Sequence, residues 1–198
     1  PRAALPTDRP RPAQPTFAGA RETVRLDERL VRALREVSRA SGCTPFMTHL
    51  ALYVHWLRQL CGQDELLVGV AVGNRPPELG DGLVGSMSQL LPLRFDARSD
   101  LTLGEWLRAV RGRVLEAFDH SEYSYARLIQ RLGAGQDPTR APLANVVFNY
   151  DTPLEAPSFG DLAVRALPRE IGFARYDLYL NVATVGGQVE LECDYDAE

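Results

Sequence analysis

The chain has 198 residues, 45% of them hydrophobic, and a formal net charge of -4. That length suits one well-packed domain or two small ones. The scattered charges, with no block of five alike, exclude a basic nucleic-acid tail or an acidic solvating tail. No apolar run approaches the roughly 20 residues that span a bilayer.

Pro1 to Pro15 carries five prolines and reads as an extended linker, because proline interrupts helices and central strands. Phe17 to Leu26 alternates partially and is a candidate strand. Asp27 starts a helix with Leu30, Val31, Leu34 and Val37 at helical spacing, and Gly42 ends it. Thr44-Pro45 supplies an N-cap and a first-turn proline for a second helix, Pro45 to Cys61, closed by Gly62. That helix is apolar nearly all round, Trp56 included, and is expected to be buried on most sides.

The stretch Leu66 to Arg94 is the one around which the chain is organised. A Val-rich run, Leu66 to Val72, turns at Gly73-Asn74-Arg75-Pro76-Pro77, crosses a Gly-containing loop and enters a second extended run, Ser86 to Phe95. A third helix is expected over Leu103 to His120, with Leu103, Trp106, Leu107, Val110, Val114 and Phe118 facing the core. Ser124 to Leu132 forms a shorter one. Leu143 to Tyr150 reads as an apolar strand followed by a Pro-containing excursion, and Leu162 to Leu167 as a short strand. Arg175 to Val185 and Gln188 to Tyr195 alternate on either side of Gly186-Gly187, a two-residue hairpin turn. The fold class is therefore α/β: a two-layer sandwich with a mixed or mostly antiparallel sheet and helices on one face.

Self-sufficient catalytic sets are absent from the sequence. There is no phosphate-binding glycine loop and no GxSxG elbow. His49 and His55 lie six apart on one helix, which is not a same-face ligand spacing, and each is expected to make one hydrogen bond. His120 falls where it would cap a helix C-terminus. Tyr123 and Tyr125 read as staples or a surface patch. Asp177 sits between apolar neighbours and needs a partner, for which Arg75 and Arg175 are the candidates. The three cysteines, Cys43, Cys61 and Cys193, form no CxxC and read as small buried or half-buried thiols of a reducing cytoplasm. No metal site is expected. The start at Pro1 without an initiator Met reads as a piece of a longer polypeptide or a processed chain.

Several segments together resemble the condensation domain of nonribosomal peptide synthetases, and in particular its C-terminal lobe. The opening LPTDRPRP resembles the entry to that lobe, and Thr44 to Gly62 its buried helix. Gly69 to Arg75, GVAVGNR, resembles "G-x-P-x-A-x-R". Val84 to Arg94, VGSMSQLLPLR, is similar to "IGFFVNTLPLR". His120 to Leu128, HSEYSYARL, is similar to "HQDxPFExL", Asp137 to Leu143, DPTRAPL, to "RDxSRNPL", and Tyr176 to Leu180, YDLYL, to "FDLxL".

The resemblance implies a chloramphenicol-acetyltransferase-like lobe, one of two flanking an active-site cleft. Residues 1–17 would then be the linker from an N-terminal lobe, and 18–198 the C-terminal lobe. It implies amide formation between aminoacyl or peptidyl thioesters on donor and acceptor carrier proteins. The phosphopantetheine is carried by those partners, and no cofactor binds directly; neither nucleic acid nor membrane is a partner. The family's catalytic HHxxxDG belongs to the other lobe and is absent here, so no catalytic residue is assigned and the isolated lobe should be inactive. Ser86, Met87, Ser88 and Gln89 replace the family's Phe-Phe-Val-Asn and are implied to line the cleft and its tunnel. The alternatives are a catalytically silent condensation-like docking domain that recruits partner proteins, and a related free-standing acyltransferase.

Two loops are implied to cross to the partner lobe, one carrying Asn74, Arg75, Leu79 and Leu83, the other Leu154, Phe159 and Ile171. With the partner lobe absent, their apolar residues form an exposed patch. The fragment alone is expected to form a homodimer or to order these loops in a crystal contact; a monomer in sedimentation velocity, with both loops protected from hydrogen exchange, would refute this.

Overall fold

A computed structural model describes residues 2–73, 84–98, 100–135, 137, 139–151, 159–162 and 172–198. Its six strands are β1 (Gly19–Arg25), β2 (Glu65–Gly73), β3 (Ser88–Asp96), β4 (Val146–Tyr150), β5 (Leu178–Val185) and β6 (Gln188–Asp196). They form one sheet in the order β1-β6-β5-β4-β2-β3. The central β2, β4 and β5 run parallel, and the pairs β2/β3, β5/β6 and β1/β6 are antiparallel, so the sheet is mixed. Gly186 and Gly187 take φ of 56° and 83° between β5 and β6, the left-handed pair that a two-residue hairpin requires. Gly19 has a different reason: a Cβ there would lie 2.6 Å from the backbone of Phe173 and Ala174, where the start of β1 approaches the segment holding Phe173.

Three of the four helices, α1 (Glu28–Ala40), α2 (Pro45–Cys61) and α3 (Leu103–Asp119), pack side by side on one face of the sheet. The Thr44 hydroxyl accepts from the Met47 N–H, and Gly62 ends α2 in the left-handed conformation. Thr102 and Glu105 close a capping box at the start of α3. Leu50, Val54 and Leu57 of α2 meet Leu66, Val68 and Val70 of β2 and Phe148 of β4, all fully buried. Each such side chain contributes about 1.5–3 kcal/mol relative to exposure. The Trp106 indole of α3 donates to the Ala51 carbonyl of α2 at 2.9 Å, and a buried Ser38–Thr48 hydroxyl pair at 2.8 Å joins α1 to α2. The remaining helix, α4 (Tyr125–Leu132), contacts β3 and buries none of its residues.

Several expectations change. Helix α2 is buried on most sides, but Leu52, Trp56 and Leu60, spaced by four, form an exposed stripe along it. Trp56, at 44% exposure, is therefore not a core residue. Leu103 and Phe118 sit at the ends of α3 and are exposed, while the four residues between them on the expected stripe are buried. Strand β4 starts at Val146 rather than Leu143, whose φ of 67° breaks the extended run. Leu162 is exposed coil, and residues 163–167 of the expected short strand lie outside the described residues.

The proline-rich opening is extended, as expected, and it is seated on the sheet layer. Asn145, fully buried just before β4, accepts from the Ala3 N–H at 3.1 Å and donates to the Ala3 carbonyl at 2.8 Å. Gln63 bonds the flanking peptides, accepting from the Ala4 N–H at 2.7 Å and donating to the Arg2 carbonyl at 3.2 Å. Further along, Arg11 pairs with Asp177 at 2.7 Å and with Asp196 at 3.3 Å. Asp177 thus finds Arg11, with a 2.8 Å bond from Asn145, and not Arg175, which stands over the Tyr176 ring; Arg75 lies outside the described residues.

Asn145→Ala would strand the Ala3 peptide and remove a donor from the Asp177 carboxylate. A loss of about 2–4 kcal/mol is expected in urea denaturation, since buried polar groups left unpaired carry their desolvation cost; a loss below about 0.5 kcal/mol would refute the clasp.

Candidate functional site

The two faces of the sheet carry different chemistry. Residues of one parity, among them Val68, Leu91, Phe148, Leu178 and Val189, point into the helix layer. The other parity lines the opposite, helix-free face, on which no helix packs among the described residues. The pairing register lays one row across all six strands: Pro92, Gly69, Val147, Tyr179, Asp194 and Arg21. From β4 to β1 this face is a hydrogen-bonded network. Asn149 donates to Asp151 and Asn181, and Asn181 donates to Asp151 at 2.8 Å and Glu192 at 3.0 Å. Arg21 grips Asp194 with two nitrogens and reaches Glu192 at 3.2 Å. Burial, reinforced by Asp151 and Asp194, pushes the Tyr179 phenol up to about 12. The sequence signal for this network was the run of polar residues alternating with apolar ones in β5 and β6; its links between strands needed the register.

The motif segments that were separate in sequence converge around α4. At the start of β3, the Gln89 side-chain amide donates to the Ser121 carbonyl, in the turn after α3. The Tyr125 hydroxyl donates to the Pro142 carbonyl at 2.5 Å and accepts weakly from the Ala144 N–H at 3.5 Å. Burial raises that phenol. Pro142 closes a loop in which the Asp137 carboxylate accepts from the Thr139 hydroxyl at 2.5 Å and the Thr139 N–H at 2.9 Å, and these bonds hold it below the usual carboxylate range. Segments 84–94, 120–128 and 137–143 are therefore one physical unit. Tyr125 is its staple; Tyr123 is exposed.

Of the residues expected at the cleft, Ser86 and Ser88 are exposed and Met87 and Gln89 half-buried, at the entry to β3. Of the residues expected on the two crossing loops, Phe159 is 59% exposed, beside Leu162 at 74%. Asn74, Arg75, Leu79, Leu83, Leu154 and Ile171 lie outside the described residues. His120 takes the C-cap position of α3 through its backbone N–H. Among the described residues, no group of three or more His, Cys, Asp or Glu is placed to hold a metal ion, and no helix is long and apolar enough to cross a membrane.

His49 makes one hydrogen bond, from Nδ1 to the Pro45 carbonyl at 2.8 Å, and its ring lies 5.5 Å from that of Tyr150 at the end of β4. Nδ1 therefore carries the proton, and Nε2 is a buried acceptor with no partner among the described residues. His55 meets Gln59 at 3.3 Å on the exposed side of α2.

A family model described as "Condensation domain" matches residues 1–198. Tyrocidine synthase 2 of Brevibacillus parabrevis is 31% identical over 194 residues, covering 96% of this chain and 5% of that protein. Surfactin synthase subunit 1 of Bacillus subtilis (strain 168) is 28% identical over 195 residues, covering 98% of this chain and 5% of that protein. The condensation domain of the monacolin K polyketide synthase MokA superposes with a TM-score of 0.79 at 28% identity, over 98% of this chain and 45% of that one. The X-domain from teicoplanin biosynthesis superposes at 0.86 with 22% identity, over 99% and 46%, a likeness of fold. The chain thus spans a small fraction of the curated synthetases and a little under half of these solved domains.

Burial holds the His49 imidazole below its ordinary value of 6.5, with the Pro45 carbonyl acting the other way. Folding favours the neutral ring, so its contribution is complete above that value and is lost as pH falls below it. The drop in urea midpoint from roughly pH 7.5 to 5.5 is expected to shrink in His49→Gln, and an undiminished drop would assign it to other groups.

Proposed function

The chain belongs to the condensation-domain family, and from that premise we propose that it is the C-terminal lobe of a condensation domain in a nonribosomal peptide synthetase. Residues 1–17 are the linker from the N-terminal lobe, and residues 18–198 form one wall of the cleft between lobes. In that cleft the amine of an acceptor-bound aminoacyl group attacks the thioester carbonyl of a donor. The new C–N bond forms, the C–S bond breaks, the sulfur leaves as the donor carrier's thiol, and the amine gives up one proton. Phosphopantetheine arrives on both carrier proteins as part of the substrate. The catalytic histidine motif is not in this chain, so the lobe's part is positional: it binds, orients and walls off water. Ser86, Met87 and Ser88 stand at the entry to β3 as wall residues. The described cysteines, all unpaired, accord with a cytoplasmic assembly line.

The observation that carries this reading is the convergence of segments 84–94, 120–128 and 137–143 around α4. Each resembles a motif of the same domain, and the fold brings them into hydrogen-bond contact. The test is a condensation assay on the full-length protein with both carriers loaded, read by mass spectrometry of the amide product. Product from the full-length protein and none from residues 1–198 alone is expected. A folded full-length protein that binds both carriers yet makes no product would overturn amide formation in favour of a docking platform.

A further inference from the structure

We propose that Gln89 is a positioning residue: its amide holds the Ser121 carbonyl and thereby fixes the 121–124 turn and α4 against the cleft wall. The inference rests on the reading of the chain as a condensation-domain lobe. Strand alternation decides where the Gln89 side chain goes. Leu91, Leu93 and Phe95 of β3 are buried toward the helix layer, and Gln89 shares their parity, whereas Ser88 and Leu90 share that of the helix-free face. Gln89 therefore acts on the wall through the turn after α3, to whose Ser121 carbonyl it donates.

That bond matters because few other hydrogen bonds hold α4 to the rest of the fold. The helix has eight residues, none of them buried. A helix this short is marginal without tertiary support. Its N-cap residue, Ser124, makes no side-chain capping bond, and Leu132 at its end is 61% exposed. Backbone closure of the turn amounts to Ser121 N–H to Phe118 at 3.0 Å and Tyr123 N–H to His120 at 3.1 Å. Among the described residues, the side-chain hydrogen bonds that tie the turn and the helix to other elements are Gln89 to Ser121 on the β3 side and those of the Tyr125 hydroxyl with Pro142 and Ala144 on the β4 side. Removing the first leaves α4 hinged on the second. Because a backbone carbonyl is the acceptor, the interaction depends on the reach of residue 89 and on its N–H donor.

The test uses the full-length protein with Gln89→Leu, which keeps volume and removes the donor, and Gln89→Glu, which keeps reach and removes the donor. Gln89→Asn, which keeps the amide but withdraws it by one methylene, guards against misfolding of the other two. Hydrogen exchange of amides 122–132 is expected to rise about tenfold in the Leu and Glu variants and less in the Asn variant, while β2 and α2 stay protected. The kcat for condensation is expected to fall about tenfold with KM for each loaded carrier unchanged, the pattern of a lost positional contribution rather than lost binding. Unchanged exchange in 122–132 would overturn the tether. Raised exchange with unchanged kcat would overturn its part in the reaction. A wild-type protein that makes no product would overturn the functional reading instead, and the exchange measurement would still decide whether Gln89 holds the turn.

Discussion

The packing of α2 against β2 and β4 is the contact on which the rest of the fold depends. It buries one parity of the central strands and, by the two-residue period of a strand, commits the other parity to the opposite face. A slip of one residue in β4 or β5 would exchange apolar core for the amide and carboxylate network. Because β2 and β4 are parallel neighbours, both strands finish at one edge of the sheet, where β3 begins. Ligand-bearing crevices of α/β sheets form at such edges.

The helix-free face is held by different physics. Two side-chain amides, Asn149 and Asn181, stand among Asp151 and Glu192, and Arg21 joins Glu192 to Asp194. Amides between carboxylates reduce like-charge repulsion without adding charge, and the planar guanidinium supplies the bidentate contact that a lysine would not. Tyr53 shows the opposite case. Its hydroxyl is fully buried in the α2 layer and has no hydrogen-bond partner among the described residues, and burial pushes its ionisation well up. The ring packs against those of Trp56 and Phe148, so packing holds the residue.

What the sequence disclosed was local. Thr44-Pro45 and Gly62 bounded α2, Gly186-Gly187 fixed a hairpin and its register, and alternation in β5 and β6 sorted two faces, because capping, turn geometry and strand period act between near neighbours. The exposed stripe of α2 was not legible from the same pattern: apolar residues at Leu52, Trp56 and Leu60 do not reveal how many neighbours a helix will have. Asp177 demanded a partner, yet Arg11 was invisible because the two meet only when the opening segment is laid over the ends of β5 and β6. Gln89 was assigned to the cleft by its motif position alone. Its bond to a backbone carbonyl leaves no trace in the identity of residue 121, so the convergence of three motif segments around α4 became visible only in three dimensions.

The pairing of β1 with β6 has a consequence for synthesis on the ribosome. β1 emerges first of the six described strands, but its neighbour in the sheet is the last of them. At about 5–20 residues per second, β1 waits roughly ten to thirty seconds for β6. Through that interval its backbone donors and acceptors lack their partner strand. The charges of Arg21, Glu22 and Arg25 keep the waiting strand soluble and discourage pairing with a neighbouring nascent chain. The arginines that later grip Asp194 and Glu190 thus first serve as gatekeepers.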